Sequence, residues 1–171
     1  QYYYHYLNTV SWNPVNETQI ATGSLTSTVI IWDMETREPL QSYGFNYPPD
    51  RNPEEYPEPF VEIVAWSPDG RLIAAGTNDG QITIWDTETE QATNYYFLDG
   101  IIEDLEWGAQ GRLAVSNARG IQILNPLDET FTPIYELSPA PFFIYSLAWS
   151  PEGDRIAFGT DTLNFIAVPN S

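Results

Sequence analysis

Residues 66–86 read Trp-Ser-Pro-Asp-Gly-Arg-Leu-Ile-Ala-Ala-Gly-Thr-Asn-Asp-Gly-Gln-Ile-Thr-Ile-Trp-Asp, and three eroded copies of this unit occur elsewhere in the 171-residue chain. So short a unit cannot bury its own apolar faces. Stacked copies must supply the core, and the segments that differ between copies must supply whatever is specific. The copies align on a tryptophan followed by a tight turn: Trp12-Asn13-Pro14, Trp66-Ser67-Pro68-Asp69-Gly70, Trp107-Gly108-Ala109-Gln110-Gly111 and Trp149-Ser150-Pro151-Glu152-Gly153. Their spacings are 54, 41 and 42 residues.

After each turn comes a run of small and branched residues (20–24, 72–77, 113–117 and 156–160). A second β-rich run follows it (29–33, 82–86, 121–125 and 165–168). Branched and aromatic residues punctuated by Gly, Pro, Asn and Asp read as short strands. Asn78-Asp79-Gly80, between two such runs, reads as a hairpin turn because Asp-Gly tolerates positive φ. No stretch shows a 3.6-residue apolar period, so the expected class is all-β.

A period near 42 residues, four strands per unit and the dipeptides Trp32-Asp33 and Trp85-Asp86 resemble the WD-repeat β-propeller. The resemblance spans essentially the whole chain as one domain, with repeats near 1–33, 40–86, 94–125 and 132–168. It is weaker in the last two, where Leu124-Asn125 and Ala167-Val168 stand in place of Trp-Asp. It implies blades of four antiparallel strands. The family's Gly-His dipeptide is absent, since the sole histidine is His5. The buried hydrogen-bond chain of the family is therefore expected to be cut down to Asp79, Thr77 and Trp85. Residues 2–6 are similar to the fourth-strand segments, whereas the last repeat stops after its third strand. That offset resembles the way propellers close their ring. Four blades leave three arrangements open: part of a longer propeller, half of an eight-bladed ring, or a closed four-bladed ring.

Twenty-four acidic residues face six basic ones, all arginine, for a net charge of −18. Such a surface repels nucleic acid and anionic lipid and attracts cations or basic proteins. No apolar run approaches the length of a membrane span. The absence of cysteine removes disulfides, thiolate metal sites and cysteine nucleophiles together. With no initiator Met and no signal-peptide pattern, the chain is expected to be processed or an excerpt. His5 has no nucleophile partner in the pattern, and a chain this acidic produces carboxylate pairs without selection for chemistry. No Gly-rich loop is built to cradle phosphate. The reading is a non-catalytic chain with no cofactor and no metal.

The resemblance implies one face built from the loops that enter each inner strand and the turns between second and third strands. Asn8, residues 44–60, Asp99-Gly100 and residues 138–143 fall there, with the turns at 25–27, 78–80, 118–120 and 161–162. The opposite face receives the Trp-Ser-Pro-Asp-Gly turns and the acidic runs 33–38 and 86–90. Segment 44–60 is about a dozen residues longer than its counterparts and holds five prolines, two tyrosines and two phenylalanines. Such a loop offers pre-ordered aromatic area. Four positions before each anchor tryptophan come Asn8, Glu62, Glu103 and Tyr145, which with Asp104 make an acidic channel mouth. The residues expected to bind a partner protein of basic surface are Tyr47, Tyr56, Phe60, Glu62, Asp79, Glu103, Phe142, Phe143 and Tyr145. Their aromatic rings supply contact area, and the acids orient the encounter. The alternative is a structural subunit whose blades and 44–60 loop pack against further copies or a larger complex.

Overall fold

The structure, a computed structural model, describes residues 6–45, 59–136, 143–160 and 163–168. Fifteen strands and no helix occur among the described residues. The first sheet holds β1 (Leu7–Trp12), β2 (Gln19–Ser24), β3 (Thr28–Asp33) and β4 (Pro39–Gly44). The second holds β5 (Val61–Trp66), β6 (Leu72–Thr77), β7 (Gln81–Asp86) and β8 (Gln91–Phe97). The third holds β9 (Ile102–Trp107), β10 (Leu113–Asn117), β11 (Gly120–Asn125) and β12 (Thr130–Glu136). The fourth has three strands, β13 (Ser146–Trp149), β14 (Arg155–Gly159) and β15 (Leu163–Ala167). Every sheet is an antiparallel meander in chain order, as the repeat pattern predicts.

Local chemistry explains why the weaker repeats still fold. Asp33 accepts the amides of Glu35 and Thr36, both at 2.8 Å, and Asp86 accepts those of Glu88 and Thr89 at 2.9 and 3.1 Å. The aspartate of Trp-Asp is thus a turn former, tying the third strand to the fourth. Asn125 accepts the Leu127 amide at 3.2 Å and so does the same work in the third repeat. Asp86 also takes the Arg71 guanidinium at 2.7 Å. The amides and Arg71 together hold its carboxyl below the usual carboxylate range.

The inner strands β1, β5, β9 and β13 follow one another side by side, and an apolar layer fills each gap between sheets. Between the first and second sheets lie Ala21, Val29 and Ile31 against Val64, Trp66, Ile73 and Trp85. The same arrangement recurs with Ala74, Ile82 and Ile84 against Leu105, Trp107, Leu113 and Leu124, and again with Ala114, Ile121 and Ile123 against Leu147, Ile156 and Phe158. Burying each Ile, Leu or Val contributes about 1.5–3 kcal/mol, so these repeated layers are the core. The arc stays open: the outer face of the first sheet and that of the fourth are uncovered, with Trp12 56% and Phe165 77% exposed. The fold is a partial propeller.

Register corrects two expectations. Ile156 pairs with Ile166 as Ile73 pairs with Trp85, so the counterpart of Trp-Asp in the fourth repeat is Ile166-Ala167, not Ala167-Val168. No tryptophan anchors that strand, and only the pairing reveals its frame. The expected hydrogen-bond chain is also split between two sheets. Thr77 donates to Asp79 at 2.6 Å in the second sheet, but the indole bond belongs to the first, where Trp32 donates to the Thr22 hydroxyl at 2.8 Å. Ala75 occupies the place of Thr22 in the second sheet, so no hydroxyl stands there for Trp85. Trp85 is held instead by rings, with Tyr43 stacked at 5.5 Å and Phe45 edge-on at 5.1 Å.

Candidate binding face

The loop-bearing face is stitched together by bonds between each incoming loop and a neighbouring hairpin turn. Phe60 and Asn78 are joined through the Phe60 amide on the Asn78 side chain at 2.9 Å and the Asn78 amide on the Phe60 carbonyl at 3.2 Å. Ser27 donates to the Pro59 carbonyl. Asn117 donates to the Asp99 carbonyl at 3.2 Å, and Arg119 pairs with the Asp99 carboxylate. Gly80 closes the β6–β7 turn at a φ of 91°, where a Cβ would lie 2.0 Å from the Leu98 carbonyl oxygen.

Three β-bulges set the residues expected at the acidic mouth. On β1 the pairing skips from Leu7 to Thr9, on β5 from Val61 to Ile63, and on β9 from Ile102 to Asp104. The extra residues are Asn8, Glu62 and Glu103. A bulge re-aims the side chain it inserts, and here it does so at the same place on three neighbouring strands. Asn8 donates to the Glu62 carboxylate at 3.0 Å and to the Val61 carbonyl at 3.1 Å. Burial, and then the nearby Glu62 charge, raise the Glu103 carboxyl above its ordinary value. Two acids from adjacent sheets therefore share one field. In the fourth repeat Tyr145 is 63% exposed and its ring lies 5.8 Å from that of Phe143, itself 43% exposed.

Of the other residues singled out in the sequence, Phe60 is half-buried at the mouth of β5. Asp79 is exposed on its turn, with its carboxylate accepting from Thr77. Tyr47, Tyr56 and Phe142 lie outside the described residues, as does most of the 44–60 loop. Asp104 departs from expectation. It does not line the mouth: the bulge at Glu103 turns it into the gap between sheets, where it accepts the Leu147 amide at 2.7 Å. Glu106 does the same for the Trp149 amide at 2.6 Å. These two inter-sheet acceptors escape a sequence reading, because they look like any other acids of an acidic chain.

Burial raises the carboxyls of both Asp104 and Glu106, against the opposing effect of the amides they accept. The sign follows directly. A carboxyl that binds its proton more tightly folded than unfolded favours the fold in acid, and this contribution is lost as pH rises from its ordinary value through its raised one. Asp104→Asn keeps an acceptor for Leu147 and removes the charge. The variant is expected to equal or exceed the parent in denaturant midpoint at neutral pH, with the gap closing as pH falls through the raised value to the ordinary 3.8. A gap independent of pH contradicts this assignment.

No group of three or more His, Cys, Asp or Glu comes together as a metal site among the described residues. Among the described residues no helix is long and apolar enough to cross a membrane.

Sheets of this size and order, packed through a recurring layer around their inner strands, define propeller blades. The WD40 family model (WD domain, G-beta repeat) matches residues 2–33 and 57–86, the two repeats that keep Trp-Asp. These two segments are WD repeats. Similar curated proteins include Protein HIR1 of Cryptococcus neoformans, 28% identical over 142 residues, covering 83% of this chain and 11% of that protein. WD repeat-containing protein SL1-17 of Schistosoma mansoni is 26% identical, covering 84% of this chain and 44% of its own length. Cell division cycle 20.1, cofactor of APC complex, of Arabidopsis thaliana is 26% identical, covering 90% of this chain and 31% of its own length. The chain thus spans less than half the length of each of these relatives.

Proposed function

We propose that this chain is a non-catalytic protein-interaction scaffold whose loop-bearing face takes a basic segment of a partner protein. The observation that supports this most is the pair Glu62 and Glu103, delivered to one mouth by equivalent bulges. The exposed rings of Phe143 and Tyr145 stand at the entrance to the next inner strand. Acids in such a mouth steer a cationic segment and fix its direction, while exposed aromatic rings supply the desolvated contact that holds it. WD-repeat proteins generally serve as interaction scaffolds, and one relative bears the name of a cofactor of a complex.

The test uses an arginine-rich peptide titrated against the parent and against Glu62→Gln/Glu103→Gln. The double variant keeps an acceptor for Asn8 and removes the mutual repulsion, so its thermal midpoint is expected to hold or rise slightly. Its affinity is expected to fall about tenfold or more at low salt, and the difference is expected to shrink as salt screens the parent. Equal affinity for both proteins contradicts the reading.

A further inference from the structure

Each four-stranded sheet ends in an outer strand, β4, β8 or β12, and register lets the three be compared place by place. Ile30, Thr83 and Gln122 hold one place in their sheets, and opposite them lie Ser42, Tyr95 and Pro133. At the next place on the same side, opposite Thr28, Gln81 and Gly120, lie Gly44, Phe97 and Glu136. A free edge is usually blunted by proline, charge or shortness. Pro133 has no N–H to offer, Glu136 brings a charge, and Ser42 and Gly44 give little side chain. Only β8 of the three joins N–H groups to large side chains at both places, and Tyr95 and Phe97 are 64% and 55% exposed.

The backbone agrees. The Leu98 amide donates to the Gly80 carbonyl at 2.9 Å, and the alternation of an antiparallel ladder then turns Tyr96 towards β7 and Tyr95 and Phe97 away from it. Past the bulge at Thr93, the run 94–97 thus presents the N–H and C=O groups of Tyr95 and Phe97 on its open side. Both rings flank those groups on one face of the sheet. Among the described residues no strand pairs with this edge. The second sheet packs on the first and on the third, so the edge of β8 points away from both.

We infer that the β8 edge takes an extended segment of a partner protein as an antiparallel fifth strand of the second sheet. Main-chain bonds to Tyr95 and Phe97 supply the pairing, and apolar side chains at alternate positions of the segment cover the two rings. Charge selects the occupant. Glu90 stands just before the strand, and Glu129 of the third sheet accepts the Asn94 Nδ2 at 2.9 Å. The segment therefore carries arginine or lysine where it passes these two carboxylates. A second copy fits poorly, because self-pairing over 94–97 draws together two chains of net charge −18, each with a Glu129 carboxylate beside Asn94. This edge lies on the rim of the second sheet and uses neither Glu62 nor Glu103.

The test titrates a labelled peptide of alternating valine and threonine, with arginines at its C-terminal end, against the 171-residue chain by fluorescence anisotropy. Methylating the valine amides is expected to weaken binding about tenfold or more, since those residues face Tyr95 and Phe97. Methylating the threonine amides is expected to leave binding within about twofold. Tyr95→Pro removes one outward N–H and is expected to weaken the unmodified peptide about tenfold. Pro133 holds the same place in β12, so the thermal midpoint of this variant is expected to stay near the parent's. Glu62→Gln/Glu103→Gln is expected to bind the peptide as the parent does, which separates the rim from the mouth. A parent that fails to bind, methylated peptides that bind alike, or an affinity indifferent to Tyr95→Pro overturns the added strand. Self-association that Tyr95→Pro abolishes overturns the partner in favour of a second copy. A large loss of stability in Tyr95→Ser, which copies the Ser42 of β4, overturns the open edge.

Discussion

Trp85→Ala is expected to lower the free energy of unfolding by about 3–5 kcal/mol, the usual cost of deleting a buried aromatic side chain. Trp85 is 3% exposed, at the centre of the layer between the first and second sheets. It pairs across the strands with Ile73 and carries the rings of Tyr43 and Phe45. Truncation strands all three neighbours around a cavity that strand backbones cannot collapse to fill. Single domains hold only about 5–15 kcal/mol in total, so the loss takes a third or more of the stability of many such folds. Trp12→Ala in the monomer removes a ring that water already reaches, and is expected to cost less than about 1 kcal/mol. Urea unfolding of both variants reads the contrast, and equal costs contradict the inter-sheet role given to Trp85.

The second large effect is steric. Gly76→Ala is expected to destabilise by about 1–3 kcal/mol through overpacking. The added methyl would lie 2.4 Å from the Ile102 Cγ2 and 2.7 Å from its Cβ, so one sheet must slide away from the next. The neighbour is the root of a fully buried side chain and has no rotamer to yield. Gly159→Ala, at the same position two sheets later, is expected to move the monomer by no more than about 0.5 kcal/mol. Similar costs at the two glycines contradict a repeated seat.

Much of the fold was legible because the repeat carries two independent signals, a tryptophan with its turn and a branched strand pair around Asp-Gly. Either alone leaves the frame of a strand open, and the fourth repeat shows this. Without Trp-Asp, the pairing of Ile156 with Ile166 was one residue away from the frame that composition suggests. The mouth was partly legible as well: counting back four positions from each anchor brought Asn8, Glu62 and Glu103 together. The bulges that make that count work were not legible. A single inserted residue leaves no periodic trace, yet it exchanges the roles of Glu103 and Asp104, sending one to the mouth and the other between sheets. The Trp–hydroxyl bond depended in the same way on whether threonine or alanine stands at one register position. Nor could hydrophobicity distinguish Leu163 from Ile82, which occupy the same place in their repeats. Exposure at that place is decided by whether another sheet follows.

The central claim is that one interface recurs through the arc, occupied three times within the chain. Fluorotryptophan labelling gives six fluorine resonances, one for each tryptophan, whose broadening by a soluble paramagnetic agent reports contact with water. In the 171-residue chain the account predicts that Trp66 and Trp107 are shielded from the agent while Trp12, on the open face of the first sheet, is broadened. A Trp66 or Trp107 resonance as accessible as that of Trp12 would contradict it.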